Sequence, residues 1–292
     1  MMKMIAVIVL LASAGVALRL PANGQKPLLR RYRKGEKLAY HMKAVNEDWH
    51  YEIQAEGVVK KDSDGSYLEE YGWSGFISDG QKVTLSPATL NFRQQVTLDP
   101  NHKPVFPNLS QVDPRLIGPL TDFMTFYVDL WLATRSGRLA HPGDHFYIKR
   151  GTPNSWADGT YVVLAQDSID FDLTLKAINP SGDTGVILVR HVPPESPQIS
   201  LPVEWMRAPV SDTANNWLQV EKAKDGKYIA SVGKETFDVE LKVSLSDGKI
   251  LSATMENPVT ASDRQCADAA LTSCSDPKPH SIMRHVEIAL VP

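Results

Sequence analysis

The dipeptide Asp-Gly occurs five times in this chain, and it limits the fold more than any other sequence feature. The pairs are Asp64-Gly65, Asp79-Gly80, Asp158-Gly159, Asp225-Gly226 and Asp247-Gly248. Asp-Gly favours the tight turns that join antiparallel strands, because both central positions of a type I′ turn need a positive φ. Five such turns predict an antiparallel sheet built from hairpins.

Many segments beside these turns alternate apolar and polar residues. From Phe237 to Leu245 every odd-numbered residue is apolar and every even-numbered one is polar, and Ile169–Lys176 repeats the pattern. A period of two places the apolar side chains on one face of a strand. We predict about a dozen strands without the regular alternation of strands and helices that marks a parallel sheet. Among them are Trp49–Lys61, Thr89–Leu98, Trp217–Lys222 and Ile250–Asn257. The fold class is therefore mainly β, a large curved antiparallel sheet or partly open barrel.

One stretch has helical periodicity instead. Residues Pro119–Arg135 begin with a proline, which suits the first turn of a helix, and place apolar residues such as Phe123 and Tyr127 three to four positions apart. Apolar residues surround this helix on most sides and leave Asp122 and Asp129 as its polar strip. Such a helix must be buried on most sides, so we predict that the sheet curves round it.

The N-terminus has the pattern of a secretory signal peptide. Lys3 precedes an apolar run of about 15 residues, Met4–Leu18, which is shorter than the roughly 20 residues of a membrane-spanning helix. We place cleavage after Gly24, with Ala14 as the alternative. The chain is thus predicted to be exported, either to the periplasm or out of the cell, with no transmembrane span after cleavage.

The mature part, residues 25–292, is predicted to form a single β-rich domain. Two proline-rich tracts, Asp99–Pro119 and Pro193–Pro209, interrupt it. Neither can be a central strand, because proline has no N–H to donate to a neighbouring strand. The second tract, residues 193–209, is the alternative point at which the domain would subdivide.

The chain has two cysteines, Cys266 and Cys274, separated by seven residues. In an oxidising compartment this spacing predicts a local disulfide that closes a short loop between two strands. A redox-active pair is disfavoured because its usual C-x-x-C spacing is missing.

Charge is nearly balanced, with 31 Lys and Arg against 34 Asp and Glu and a formal net charge of −3. This balance argues against a nucleic-acid partner. The one concentrated basic run, Lys26–Lys37, follows the predicted cleavage site. We expect it to be an exposed arm that could contact anionic lipid headgroups or a polyanion.

Aromatic residues supply the candidate binding site. Three of them share one face of a predicted strand, and three more lie on the predicted helix; they are Tyr67, Tyr71, Trp73, Phe123, Tyr127 and Trp131. Such a set could line an apolar cavity. The alternative, that the same residues only pack the core beneath the helix, stays open at this stage.

Little else in the sequence indicates chemistry. His141, Asp144 and His145 are a weak candidate set of metal ligands, but the Pro-Gly between them equally describes an ordinary turn into a strand. No nucleophile elbow, phosphate loop, dinucleotide fingerprint or zinc-protease motif is present. We therefore assign no catalytic residue, no metal and no cofactor. A non-enzymatic role is favoured over a hydrolase of unrecognised type.

An exported, curved antiparallel sheet round an apolar helix resembles the periplasmic lipoprotein carriers of the LolA, LolB and LppX type. The resemblance is architectural and rests on the predicted strands together with the helix Pro119–Arg135. It implies a hydrophobic cavity that accepts acyl chains, with that helix as plug or lid. Two functions follow as hypotheses: a binding protein for an apolar or amphipathic ligand such as a lipid, and a cell-envelope structural or interaction protein with a protein partner and no small-molecule ligand.

Overall fold

A computed structural model describes residues 28–47, 49–99, 102, 109, 112–149, 154–157, 162–166, 169–193, 216–223 and 225–292. The predicted signal peptide, the turn at Asp158-Gly159 and most of the second proline-rich tract lie outside these ranges. Within them, no helix combines the length and the apolar character needed to cross a membrane.

Strands dominate the described residues. In chain order they are β1 (Lys37–Asn46), β2 (Trp49–Lys61), β3 (Tyr67–Ser78), β4 (Gln81–Lys82), β5 (Gln94–Val96), β6 (His145–Ile148), β7 (Asn154–Ala157), β8 (Val162–Gln166), β9 (Asp170–Ile178), β10 (Thr184–Val192), β11 (Trp217–Lys222), β12 (Tyr228–Glu235), β13 (Phe237–Ser244), β14 (Ile250–Cys266) and β15 (Lys278–Leu290). The helices are α1 (Pro87–Asn91) and α2 (Ile117–Ser136), and one 3-10 turn (Pro114–Leu116) precedes α2.

The described strands form one antiparallel sheet that does not close. Its first part runs in the order β4, β3, β2, β1, β15, β14, with β5 paired to β3 beside β4. At β14 the sheet divides, because this 17-residue strand is long enough for two neighbours. Its first half pairs with β13, which continues to β10, β9 and β6, and its second half pairs with β12, which continues to β11, β8 and β7. The predicted mainly β, antiparallel fold is confirmed.

The strands of the two branches lie end to end in pairs, and the two members of every pair meet at the same level along β14. The in-line pairs are β6 and β7, β9 and β8, β10 and β11, and β13 and β12, and in each pair one member joins the first branch and the other the second. Of the described strands, only β14 and β15 continue through this level, and Pro258 of β14 lies there opposite Met283. We call this level the break line.

Helix α2 lies against the inner face of the sheet, and it is buried on nearly every side. It begins at Ile117, two residues before the predicted start, and Pro119 is accommodated because the first N–H groups of a helix have no partner within it. It ends at Ser136, and the capping residue Gly137 adopts the left-handed conformation with φ 57°. The core therefore consists of inward-facing strand residues and almost the whole circumference of α2.

The turns follow the sequence in outline but not in every detail. Asp79 and Gly80 both have positive φ, as a type I′ turn requires, whereas at three other described Asp-Gly pairs only the glycine does.

The predicted strand Thr89–Leu98 is wrong over its first half, where α1 forms instead. Ser86 starts that helix by accepting a hydrogen bond from the Thr89 amide, and Pro87 follows it in the first turn.

Candidate functional site

Four of the six predicted aromatic residues meet between β3 and α2. The ring of Phe123 lies 4.9 Å from that of Tyr71, 5.2 Å from that of Trp73 and 5.0 Å from that of Tyr127, measured between ring centroids. All four side chains are buried, with at most 3% of their surface exposed. The structure thus places these strand and helix aromatics in direct contact.

The other two predicted aromatics lie at the margins of this cluster. Tyr67, half-buried, stacks on Tyr32 with 5.7 Å between ring centroids. Trp131 is buried near the end of α2, and its Nε1 donates to the carbonyl oxygens of His102 at 3.0 Å and Asp99 at 3.3 Å. The structure therefore divides the predicted set into a central cluster and two flanking positions.

Glu69 is the polar centre of the aromatic cluster, and its role was not predicted. Its carboxylate is buried and accepts hydrogen bonds from the hydroxyls of Tyr71 at 2.8 Å and Tyr127 at 2.5 Å. The two hydroxyls also contact each other at 2.7 Å. Burial, and then the negative charge of Glu69, raise the pKa of both tyrosines well above its ordinary value. Both phenols therefore stay protonated and act as donors.

The cation that pairs with Glu69 comes from the N-terminal segment. Nε of Arg30 donates to Glu69 at 2.8 Å, and its Nη2 donates to Glu36 at 2.7 Å. The expectation that the basic run Lys26–Lys37 is an exposed arm is therefore wrong for Arg30, which is buried. It is wrong because the sequence alone does not show that this guanidinium pairs with a buried carboxylate.

Residues Leu28–Arg31, which we call the N-terminal strap, cross the turn between β13 and β14. The backbone amide of Arg31 donates to the carbonyl of Asp247 at 2.8 Å. Gly248 fits closely beneath the strap, since a Cβ atom there would lie 2.5 Å from the carbonyl oxygen of Leu29. The strap therefore closes one end of the inner face and carries Arg30 into it.

A second ionic contact, between the buried Asp122 and the partly exposed Arg284, ties α2 to β15. Asp122 accepts two hydrogen bonds of 2.8 Å from Nη2 of Arg284 and a third, of 3.1 Å, from the hydroxyl of Tyr51. Nη1 of Arg284 donates to Asn257 of β14 at 2.8 Å. Asn257 in turn donates to the carbonyl of Thr236, the residue between β12 and β13. Asp122 is thus anchored at the break line.

A third contact joins α2 to β10. Nε2 of His191 lies 2.9 Å and 3.0 Å from the two carboxylate oxygens of Asp129, and the rings of Phe171 and Phe237 pack on either side of the imidazole. Burial raises the pKa of Asp129 above its ordinary value, and His191 offsets only part of that effect. The predicted polar strip of α2 is therefore buried, and each aspartate meets a basic side chain of the sheet.

Three buried polar atoms near α2 have no hydrogen-bond partner. They are Nε1 of Trp73, Oε1 of Gln94 and Nδ1 of His191. Each residue touches α2: the Trp73 ring packs on Phe123, the Gln94 side chain donates to the Leu120 carbonyl and His191 pairs with Asp129. Buried polar atoms in folded proteins are nearly always paired with protein or ordered water, so these three require an explanation.

The weak metal candidates do not converge. Asp144 caps its own turn by accepting from the amides of Ala140 and His141, and its carboxylate lies 3.6 Å from Nδ1 of His141. His145 instead contacts Asp172 on the outer face of β9. Among the described residues, only Asp62, Asp64 and His102 form a group of three or more ligand-type side chains close enough to share an ion.

The predicted disulfide is confirmed: Cys266 and Cys274 are bonded. The bond joins the end of β14 to the following loop, where the two residues also form an isolated β-bridge. Disulfides persist in oxidising compartments, so this bond is consistent with a location outside the cytoplasm.

Comparison with known proteins identifies no family. No protein-family model and no curated protein matches the chain. Among solved structures, the crystal structure of MucB in complex with the periplasmic part of MucA is 13% identical, with 87% of this chain and 89% of that chain covered and a TM-score of 0.15. A likeness at this level carries no argument about fold or function.

Proposed function

We propose that this chain is an exported protein that binds an apolar or amphipathic ligand, such as a lipid, between the inner face of its sheet and α2. The observation that carries the proposal is the set of three unpaired buried polar atoms, on Trp73, Gln94 and His191, in the interior beside α2. Binding sites for small molecules are mostly apolar and use a few polar groups to orient the ligand. A donor, an acceptor and an imidazole nitrogen beside α2 fit that description.

Entry of a ligand requires α2 to move, because the aromatic cluster fills the space between β3 and the helix. The contacts that hold the helix support such a movement. Asp122–Arg284, Asp129–His191 and Tyr127–Glu69 are polar contacts in the interior. A buried ion pair adds little net stability over apolar packing, because its attraction is offset by the loss of hydration. If α2 moved away, these polar groups would be hydrated again, and this hydration would offset part of the free energy lost with the contacts.

Export to the periplasm or to the medium forms part of the proposal. The Cys266–Cys274 disulfide and the sequence pattern of residues 1–24 both support it. A soluble carrier or sensor of amphipathic molecules is useful where such molecules must pass through water outside the cytoplasm.

The test begins with protein purified from its native host. A chloroform–methanol extract of the folded protein is analysed by mass spectrometry, and binding of the fluorescent probe ANS is measured under native conditions. We expect bound lipid in the extract and saturable ANS binding that the extracted lipid competes away. Protein that releases no lipid and binds no ANS would overturn the proposal.

A pair of tryptophan variants tests the polar atoms. Trp73→Phe removes the unpaired Nε1 and keeps an aromatic ring, so we expect a modest loss of stability from the smaller side chain and about five- to tenfold weaker ligand binding, the value of one hydrogen bond. Trp49→Phe is the matched control, because Nε1 of Trp49 already donates to Ser78 at 2.8 Å. It should lose a little stability and leave ligand binding unchanged.

A cell-envelope interaction protein without a small-molecule ligand is the second candidate function. The close ring contacts of Tyr71, Trp73, Phe123 and Tyr127 favour it, since they are those of an ordinary filled core. In that case the outer face of the sheet would meet a protein partner. Absence of extractable lipid, together with a stable complex recovered from envelope extracts by crosslinking, would favour this function over ligand binding.

A further inference from the structure

Three side chains with metal-binding atoms meet at the tip of the hairpin formed by β2 and β3. Asp62 and Asp64 belong to the turn itself, and His102 comes from the segment after β5. Nε2 of His102 lies 4.0 Å from Oδ2 of Asp62 and 4.0 Å from Oδ2 of Asp64. One donor atom from each of the three residues lies within 4.8 Å of the other two.

In each aspartate the two carboxylate oxygens have different contacts. Oδ1 of Asp62 accepts from the Ser63 amide at 2.6 Å, and Oδ1 of Asp64 accepts from the Ser66 amide at 2.9 Å. These bonds stabilise the turn, and the Oδ2 atoms face the imidazole of His102.

Nε2 of His102 contacts the Ser66 hydroxyl at 3.0 Å but does not bond directly to either aspartate. A separation of 4.0 Å is too long for a hydrogen bond between an imidazole nitrogen and a carboxylate oxygen. Two donor atoms that bind one ion at ~2.1 Å each lie ~3.4 Å apart at a tetrahedral angle and at most ~4.2 Å apart. The 4.0 Å separations from His102 to both aspartates lie between these values, so small rotations of these solvent-accessible side chains, by ~0.6 Å, would bring the donors to the tetrahedral spacing.

We propose that Asp62, Asp64 and His102 form a binding site for a divalent transition-metal ion, with Zn²⁺ as the representative ion. One imidazole nitrogen and two carboxylate oxygens are ligands that Zn²⁺ and Mn²⁺ accept, whereas Ca²⁺ and Mg²⁺ prefer oxygen alone. The hydroxyl of Ser66, 3.0 Å from Nε2 of His102, is close enough to supply a further oxygen or to orient a bound water. The site is independent of the ligand proposed for the interior.

Ion binding at this position would connect two parts of the chain that are remote in sequence. The carbonyl of His102 accepts from Nε1 of Trp131, so the residue that supplies the imidazole is fixed to α2. The aspartates belong to the β2–β3 hairpin. An ion held by all three residues therefore links the hairpin to α2 and stabilises the folded chain by its binding free energy.

Isothermal titration calorimetry of the metal-free full chain with ZnCl₂, MnCl₂ and CaCl₂ tests the site. We expect Asp64→Asn and His102→Gln each to bind one Zn²⁺ fewer per chain than the parent protein and to lose the rise in melting temperature that this ion causes. Asp225→Asn is the matched control, since Asp225 occupies another Asp-Gly turn and its Oδ1 likewise accepts an amide hydrogen bond, from Lys227 at 3.1 Å. It should bind Zn²⁺ like the parent.

Circular dichroism establishes that each variant is folded, and Asn at position 64 retains an oxygen for the turn. Co²⁺ provides a second measurement, because its visible absorption reports whether an imidazole binds the ion. An unchanged Zn²⁺ stoichiometry in Asp64→Asn and His102→Gln, or a Co²⁺ spectrum unaffected by His102→Gln, would overturn the proposal. Saturable binding of Ca²⁺ in place of Zn²⁺ would overturn the assignment to a transition metal.

Discussion

Nε of Arg30 donates a hydrogen bond of 2.8 Å to Oε1 of Glu69 inside the protein, although 39 positions separate the two residues. Neither side chain has more than 1% of its surface exposed. Glu69 also accepts from Tyr71 and Tyr127, so one carboxylate joins the N-terminal strap, strand β3 and helix α2. The segment that follows the predicted signal peptide is thus part of the core.

Replacement of Arg30 by alanine should strongly destabilise the fold. The substitution leaves the carboxylate of Glu69 buried without a cation, which typically costs about 3–5 kcal/mol. Urea unfolding followed by tryptophan fluorescence measures the free energy of unfolding. Arg33→Ala is the control, because Arg33 is an exposed arginine of the same basic run. A loss in Arg30→Ala no greater than that in Arg33→Ala would contradict a role for Arg30 in the core.

Two glycine substitutions measure how closely the strap packs. Gly248→Ala introduces a Cβ 2.5 Å from the Leu29 carbonyl oxygen and forces alanine to adopt φ +73°. Gly226→Ala has a similar backbone cost, at φ +83°, but nothing lies within 4 Å of its Cβ. We expect Gly248→Ala to be less stable than Gly226→Ala by a further ~1–3 kcal/mol, the usual cost of overpacking. Equal losses of stability in denaturant would show that the strap shifts to accommodate the added Cβ and is not closely packed.

Stability should fall with rising pH because of His285. Partial burial disfavours its charged form, but hydrogen bonds and charge from Glu256 and Glu287 outweigh this effect and raise its pKa. A histidine whose pKa is higher in the folded than in the unfolded state stabilises the fold fully below the unfolded value of about 6.5. This contribution disappears as the pH rises through the folded value.

The measurement is the free energy of unfolding at a series of pH values from about 5 to 9, around the ordinary histidine pKa. His285→Gln should show a flatter decline above about pH 6.5 than the parent protein. His50→Gln, which changes an exposed histidine on β2, should follow the parent curve. Parallel curves for His285→Gln and the parent would refute the contribution of this residue.

Removal of the disulfide should weaken the end of the pairing between β12 and β14. Cys266 and Cys274 close a loop of nine residues, and the loop-entropy estimate for that length is about 2–3 kcal/mol. We expect Cys266→Ala with Cys274→Ala to lose that stability and to exchange amide hydrogens faster near Tyr228, which pairs with Cys266. Treatment of the parent with a reducing agent should give the same result, and the double variant should not respond to it.

Periodicity predicted the elements because it depends on neighbouring residues alone. The predicted strands Trp49–Lys61 and Trp217–Lys222 match β2 and β11 at both ends, and the predicted helix Pro119–Arg135 lies within α2. Thr89–Leu98 shows where periodicity gave the wrong element. There Ser86 and Pro87 carried a helix-start signal that outweighs the β-branched and apolar residues after them.

Which strands pair and which charged residues are buried could not be predicted, because no local sequence pattern contains that information. Alternation along Ile250–Asn257 predicted a strand, but it did not reveal that β14 continues to Cys266 and serves two branches of the sheet. The aromatic stripe predicted that β3 faces α2. It did not show that Glu69, on the same face, is buried in contact with a guanidinium, because that depends on Arg30 from a distant segment.

The sequence by itself determined the class of fold, the inward face of the strands, the buried helix and the disulfide. Each of these follows from the spacing of residue types along the chain and from the free energy of apolar burial. Only the tertiary structure decided which charges could be buried. Asp122 and Asp129 form a polar strip in the sequence, yet both are interior because β15 brings Arg284 and β10 brings His191 to meet them. Burial of a charge depends on a partner in space, and partners in space are set by the fold.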